Sequence, residues 1–127
     1  MIYLNSLHKL IFKLGENATT ELDYVANFDR LFVRREPGTA SIVGTPEIAT
    51  GTSSDTTNVV IIDGSAYTEQ LGLQTLFIVN RDNVVHTIYV SVLVIASSTE
   101  RRLIHGVTLP IGGTLVLNGD GSFGVYV

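Results

Sequence analysis

Residues Leu73 to Val127, LQTLFIVNRDNVVHTIYVSVLVIASSTERRLIHGVTLPIGGTLVLNGDGSFGVYV, decide the fold. Apolar, β-branched and aromatic stretches alternate there with clusters of Asn, Asp, Gly, Ser and Pro, at the short spacing of an all-β sandwich or barrel. Leu73 to Val79 and Val84 to Ala96 read as two strands joined by the polar turn Asn80-Arg81-Asp82-Asn83, and so as a hairpin. The second strand is apolar without strict alternation, which places it at the centre of a sheet, covered on both faces for part of its length. Ser97 to Glu100 turns the chain into Arg101 to Leu109, and Pro110 to Gly113 turns it into Thr114 to Leu117. Asn118-Gly119 then signals a tight hairpin, since both central positions of its turn take positive φ. Ser122 to Val127 closes the run with Phe123, Val125 and Val127 on one face.

The N-terminal half keeps the same period. In Leu7 to Leu14, Leu10, Phe12 and Leu14 face one way and Lys9 and Lys13 the other, the pattern of a half-buried strand. After a Gly15-Glu16-Asn17 turn, Glu21 to Arg30 sets Leu22, Tyr24, Ala26 and Phe28 against Asp23, Val25, Asn27 and Asp29, a strand expected to hairpin with the first. Leu31 to Val33 continues it past a bend. Glu36 to Asp55, EPGTASIVGTPEIATGTSSD, is rich in Gly, Thr, Ser and Pro and reads as the longest irregular loop, of the length that tends to contact a partner. Val59 to Ile62 is a strand closed by Asp63-Gly64, and Ser65 to Gly72 is the one short helical connector. The expectation is a single domain over residues 1–127: a jelly-roll-like β-sandwich of eight or nine mostly antiparallel strands, carrying the loop near 36–55.

Composition bounds the function. A chain of 127 residues is long enough to bury a core without staples. Only 16% of it is charged, against about 25% in average soluble proteins. Low charge combined with many strand formers favours covering sheet edges by oligomerisation or by docking onto a larger assembly. The net charge of −4 argues against a general affinity for nucleic acid phosphates. Arg34-Arg35 and Arg101-Arg102 sit beside Glu36 and Glu100, and read as solvated strand ends in preference to an anion patch. With no cysteine there is no disulfide, thiolate chemistry or Cys-based zinc site. The longest apolar run, Thr87 to Ala96, is about half of the ~20 residues a membrane helix needs. The opening MIYLNSLHKLIFKLG has its lysines inside the apolar run and no small-residue cleavage site after it, so it reads as a strand and not as a targeting segment.

No residue is put forward as catalytic, cofactor-binding or metal-ligating. His8, His86 and His105 lie on predicted strands with neither the HxH nor the i, i+4 histidine spacing of a zinc site. Gly64-Ser65-Ala66-Tyr67 is not a Gly-x-Ser-x-Gly elbow. Asp23 and Asp29 are six residues apart on one strand, roughly 20 Å along an extended chain, beyond the separation of a glycosidase pair. Asn118-Gly119-Asp120-Gly121 lacks the acidic ligands of a calcium loop.

Taken in order, SLHKLIFKLG, ATTELDYVANF, the Gly/Thr loop, TTNVVIIDG, LFIVNRDNVVHTIYVSVLV and RRLIHGVTLPIGGTLVLNGDG resemble small β-sandwich structural proteins of tailed bacteriophages. The most telling part is the strand, Asn-x-Asp turn, long strand and LPxGGTLxL succession between Leu76 and Leu117. The resemblance implies a non-enzymatic virion component assembled in the bacterial host cytoplasm. Its leading form is a capsid decoration (cement) protein, a homotrimer that stabilises the head by bridging subunits of the major capsid protein. A neck, tail or fibre component is the alternative. The first strand, the 36–55 loop and the C-terminal strand are the expected interface segments, so deleting Thr39 to Ser53 is expected to weaken assembly and spare the fold. A carbohydrate- or receptor-binding module, using Tyr3, Tyr67, Tyr89 or Tyr126 as stacking platforms, is the second reading. A small cupin-like enzyme is the third, and no cofactor, nucleic acid or membrane is expected.

Overall fold

The period-two pattern resolves into ten strands among the described residues. The computed structural model describes the backbone of all 127 residues and the side chains of all but residues 34–36, 39 and 40. In chain order the strands are β1 (Ile2–Leu4), β2 (His8–Leu14), β3 (Leu22–Glu36), β4 (Thr39–Ser53), β5 (Val59–Asp63), β6 (Gln70–Val79), β7 (His86–Val94), β8 (Thr99–Leu109), β9 (Thr114–Asn118) and β10 (Phe123–Tyr126). They build two antiparallel sheets, an all-β sandwich. One runs β10-β9-β6-β3-β4, with β1 also paired to β6, and the other runs β5-β2-β7-β8. Only β3–β4, β7–β8 and β9–β10 are hairpins. Every other connection passes from one sheet to the other, the interleaving of a jelly-roll-like sandwich. No helix among the described residues is long and apolar enough to cross a membrane.

Alternation decides which face each strand buries. On β3, Leu22, Tyr24, Ala26 and Phe28 are buried while Asp23, Val25, Asn27 and Asp29 are not. On β2, Leu10, Phe12 and Leu14 meet them from the opposite sheet, and Phe12 packs edge-on against Tyr24 with ring centroids 5.5 Å apart. β6 breaks phase, since Leu71, Leu73, Leu76 and Ile78 are all buried although Leu73 and Leu76 are three residues apart. A bulge absorbs the odd residue: Asn27 pairs with Thr75 and Phe28 with Leu73, so Gln74 is left over. β7 is central, as its apolar run implies, with Ile88, Val90 and Val92 in the core. Its outer face also buries Ser91, beside an equally buried Ile11.

The structure departs from the sequence reading at five places. The predicted loop at 36–55 is mostly strand: β4 pairs residue for residue with β3, from Leu22↔Ser53 to Glu36↔Thr39. An edge strand needs little core burial and tolerates a proline such as Pro46, so composition alone reads as loop. The expected β2–β3 and β6–β7 hairpins are instead crossings between sheets. Asn80 is buried and fixes the second crossing: its amide donates to the carbonyl oxygens of Val84, Leu109 and Pro110 at 2.9, 3.2 and 3.2 Å. The helical connector shrinks to one 3-10 turn at Gly64–Ala66, capped by Asp63, whose carboxylate accepts from the Ser65 amide at 3.0 Å. Gly64 has no alternative there, because a Cβ would collide with the carbonyl oxygens of Asn5 and His8. At the β9–β10 hairpin the residue with positive φ is Gly121, at 91°, and not Asn118-Gly119. The Gly121 amide donates to Asn118 O and the Asn118 amide to Ser122 O, so the loop has one more residue than an Asn-Gly turn.

Candidate functional site

Three places gather chemistry-bearing or unpartnered side chains. The first is at the end of the sandwich where β2 leaves one sheet and β7 enters it. His86 opens β7 and is fully buried, with Nε2 2.7 Å from Asp82 Oδ2. An ionised carboxylate only accepts, so Nε2 carries the hydrogen. Asp82, itself 3% exposed, also accepts from the Thr19 and Thr20 amides at 3.2 Å each and from the Asn83 amide at 2.9 Å. The imidazole hydrogen bond first, then these amides, hold its carboxyl down at a pKa of about 2 against the opposing effect of burial. On the other side of the ring Glu16 Oε1 lies 3.1 Å from Nδ1, off the line of a directed bond, and accepts from the Thr87 amide.

Asp, His and Glu meet here, but the imidazole stands between the carboxylates with a nitrogen turned to each, leaving no shared vacancy. Among the described residues no group of three such side chains is placed to hold a metal ion. Because His86 is sealed from solvent, its proton is out of reach of a substrate. The arrangement is a lock: Asp82, from the β6–β7 crossing, ties down the β2–β3 crossing through Thr19 and Thr20. The i, i+4 spacing of Asp82 and His86 was the one available signal for it, within a stretch that otherwise reads as a polar turn.

The second place is the outer face of the β5-β2-β7-β8 sheet. Tyr89 carries Lys13 Nζ 5.6 Å and the Arg102 guanidinium 5.1 Å from its ring centroid, and His105 meets it edge-on at 5.7 Å. Each cation–aromatic contact is worth about 0.5–1 kcal/mol at an exposed site. In the sequence His105 reads as an ordinary strand histidine and Arg101-Arg102 as a solvated strand end in preference to an anion patch, and nothing there brings His105 and Arg102 together. Their meeting depends on a bulge: Tyr89 pairs with His105 and Ser91 with Arg102, leaving Leu103 over, so residues three apart share one face. Arg34-Arg35 and Arg101-Arg102 belong to different sheets.

The third place is the far part of the β3–β4 hairpin. β6 pairs with β3 only from Asp23 to Leu31, so the hairpin continues past its neighbour with no strand on that side. From Phe32 to Gly38 this is roughly 20 Å of two-stranded ribbon. It exposes large apolar side chains: Phe32 is 40% exposed, Val33 56%, Ile42 74% and, nearer the body, Ile48 67%. At its base Met1, Tyr3, Leu31, Phe32, Val33 and Ile42 line an open groove of about 520 Å³.

Asp23 pairs with Arg81 at 2.7 Å and Asp29 accepts from Gln74 at 2.6 Å. Tyr67 packs edge-on against Phe28 at 5.8 Å, whereas Tyr3 and Tyr126 are exposed. No family model matches the chain, and no curated protein or solved structure matches it either.

Proposed function

We propose that this protein is a non-enzymatic virion structural component of a tailed bacteriophage, most specifically a capsid decoration protein that bridges subunits of the major capsid protein. The observation that carries the reading is the β3–β4 hairpin, which projects apolar side chains beyond the sandwich and leaves the outer edge of β4 unpaired. A long edge strand that exposes Ile42 and Ile48 is an aggregation hazard unless a neighbour covers it. Strand addition at β4, or seating of Phe32, Val33 and Ile42 against a neighbour, supplies that cover. Of the other expected interface segments, β2 is interior to its sheet, whereas β10 is an edge. A neck, tail or fibre position uses the same surfaces and is the alternative.

Light scattering coupled to size-exclusion chromatography tests the self-association half of the proposal. The expected result is a concentration-independent trimer. A monomer at every concentration removes a self-assembling cement protein from consideration. Co-sedimentation with capsids assembled from a candidate major capsid protein tests the other half, and absence of binding from both monomeric and oligomeric forms defeats it.

A further inference from the structure

We propose that the outer face of the β2–β7–β8 sheet holds an anion site for a sugar-sized ligand that bears an oxyanion, either a phosphate ester or a carboxylate. It stands whether or not the β3–β4 hairpin joins copies of the chain. The argument begins with two cross-strand rows. Lys13, Tyr89 and His105 stand side by side on β2, β7 and β8, and Ile11, Ser91 and Arg102 form the next row. Strands lie about 4.8 Å apart, and the contacts to Tyr89 given above bring two cations, Lys13 and Arg102, and the His105 imidazole around one ring.

Such a cluster calls for a counter-ion, since like charges close together on a sheet face oppose folding. Acidic residues are in excess in this chain, 12 against 8 Lys and Arg. Yet among the described residues the ion pairs engage Lys9, Arg30, Arg81 and His86, and none engages Lys13, Arg102 or His105. The acidic residues nearest in the strands and turns flanking the site are turned to neutral donors and make no ion pair with it. Glu16 accepts from the Thr87 amide, Asp55 from the Thr57 amide, and Glu100, in the row beyond Arg102, from the Asn58 amide group.

There is also room for a ligand. Lys13, Gly15, Thr56, Tyr89, Arg102 and His105 line an open depression of about 400 Å³, a volume that would accommodate a monosaccharide. Gly15, just past the end of β2, and Gly106, on β8, border the Tyr89 ring from its two sides: a Cβ at Gly15 would lie 3.6 Å from Tyr89 Cε2, and one at Gly106 3.4 Å from Cε1. Gly106 has φ of 78°, so the bulged backbone itself excludes a side chain. Lys13 and Arg102 supply charge-assisted donors to an oxyanion, His105 adds a third when protonated, and the Thr56 and Tyr89 hydroxyls suit the hydroxyls of a sugar ring.

The test is a titration of isotope-labelled protein followed by amide NMR. Its probes are glucose 6-phosphate, N-acetylneuraminic acid, inorganic phosphate and, as the neutral control, glucose. Saturable shifts centred on Lys13, Gly15, Tyr89, Arg102 and His105 are expected with the two anionic sugars and not with glucose. Arg102→Gln and Lys13→Gln should each weaken binding by about tenfold or more while leaving amides in the core unshifted. Inorganic phosphate binding as tightly as the sugar phosphate overturns the sugar-sized part of the proposal. Shifts that never saturate, or that survive unchanged in both variants, overturn all of it.

Discussion

Asp82 joins two crossings between the sheets at one residue, and its ionisation is part of the stability of that end of the molecule. Its pKa is lowered from 3.8 to about 2 by the His86 imidazole first and by backbone amides after it. A carboxyl depressed on folding stabilises the native state in full above its unfolded pKa, and that contribution fades as pH falls toward the folded one. Asp63 and Asp120, lowered chiefly by the Ser65 and Ser122 hydroxyls, act with the same sign. Urea denaturation followed across pH should therefore show stability dropping between about pH 4 and pH 2. Asp82→Asn should lie below the wild type at neutral pH and lose less over that interval, and parallel acid limbs for the two proteins would remove Asp82 as a cause. Glycines give a second residue-scale contrast. Gly64→Ala meets backbone carbonyls that cannot move aside and should prevent stable folding, whereas Gly112→Ala enters open space and should cost about 1–2 kcal/mol for its φ of 73° alone, both read from thermal melts. The sequence marks these residues only as turn formers, since the atoms that single out Gly64 come from Asn5 and His8, far from it along the chain.

At the scale of elements, the β3–β4 hairpin has two parts with different duties. Its inner half belongs to the sheet: Ser53 is buried, and a Cβ at Gly51 would sit 2.5 Å from the Tyr24 hydroxyl, so β4 is fitted to the residues it covers. Deleting Thr39 to Ser53 therefore removes a strand and should unfold the protein, contrary to the expectation for a loop. Replacing Val33 to Ile42 by a short turn removes only ribbon beyond the sheet. That variant should keep its melting temperature and lose self-association, as should Ile42→Lys with Ile48→Lys. Retained oligomers in both variants would move the interface away from this arm. In the core the expectation is the reverse: Phe12→Ala should cost about 3–5 kcal/mol in chemical denaturation and leave association per folded molecule unchanged. β2, β3 and β9 are legible in the sequence because each alternates against one buried face, and β7 because its apolar run marks a strand covered on both faces. β4 was unreadable because its order comes from backbone pairing to β3, which leaves no mark in side-chain hydrophobicity.

Over the whole molecule, the sandwich closes its core and leaves its margins open. β2 and β7 lie inside one sheet and β6 and β3 inside the other, so their amides should exchange with solvent most slowly. The outward amides of β4 should exchange fast in a monomer. If neighbours associate by strand addition, those amides become protected on assembly; if they associate through side chains of the arm alone, exchange at the edge stays fast, and hydrogen exchange on the oligomer distinguishes the two. What the sequence determined by itself is the fold class and most of its strands, because burial of one face in every two residues is written locally. Tertiary structure alone decided which sheet each strand joins, for neither Asn80-Arg81-Asp82-Asn83 nor Gly15-Glu16-Asn17 says whether the chain turns back or crosses over. It alone decided that Lys13, Tyr89, Arg102 and His105 meet, through a bulge at Leu103 and pairings between β2, β7 and β8. The physical reason is common to both: period two fixes the face a side chain points to, while neighbours across a sheet are set by long-range pairing that no local pattern encodes.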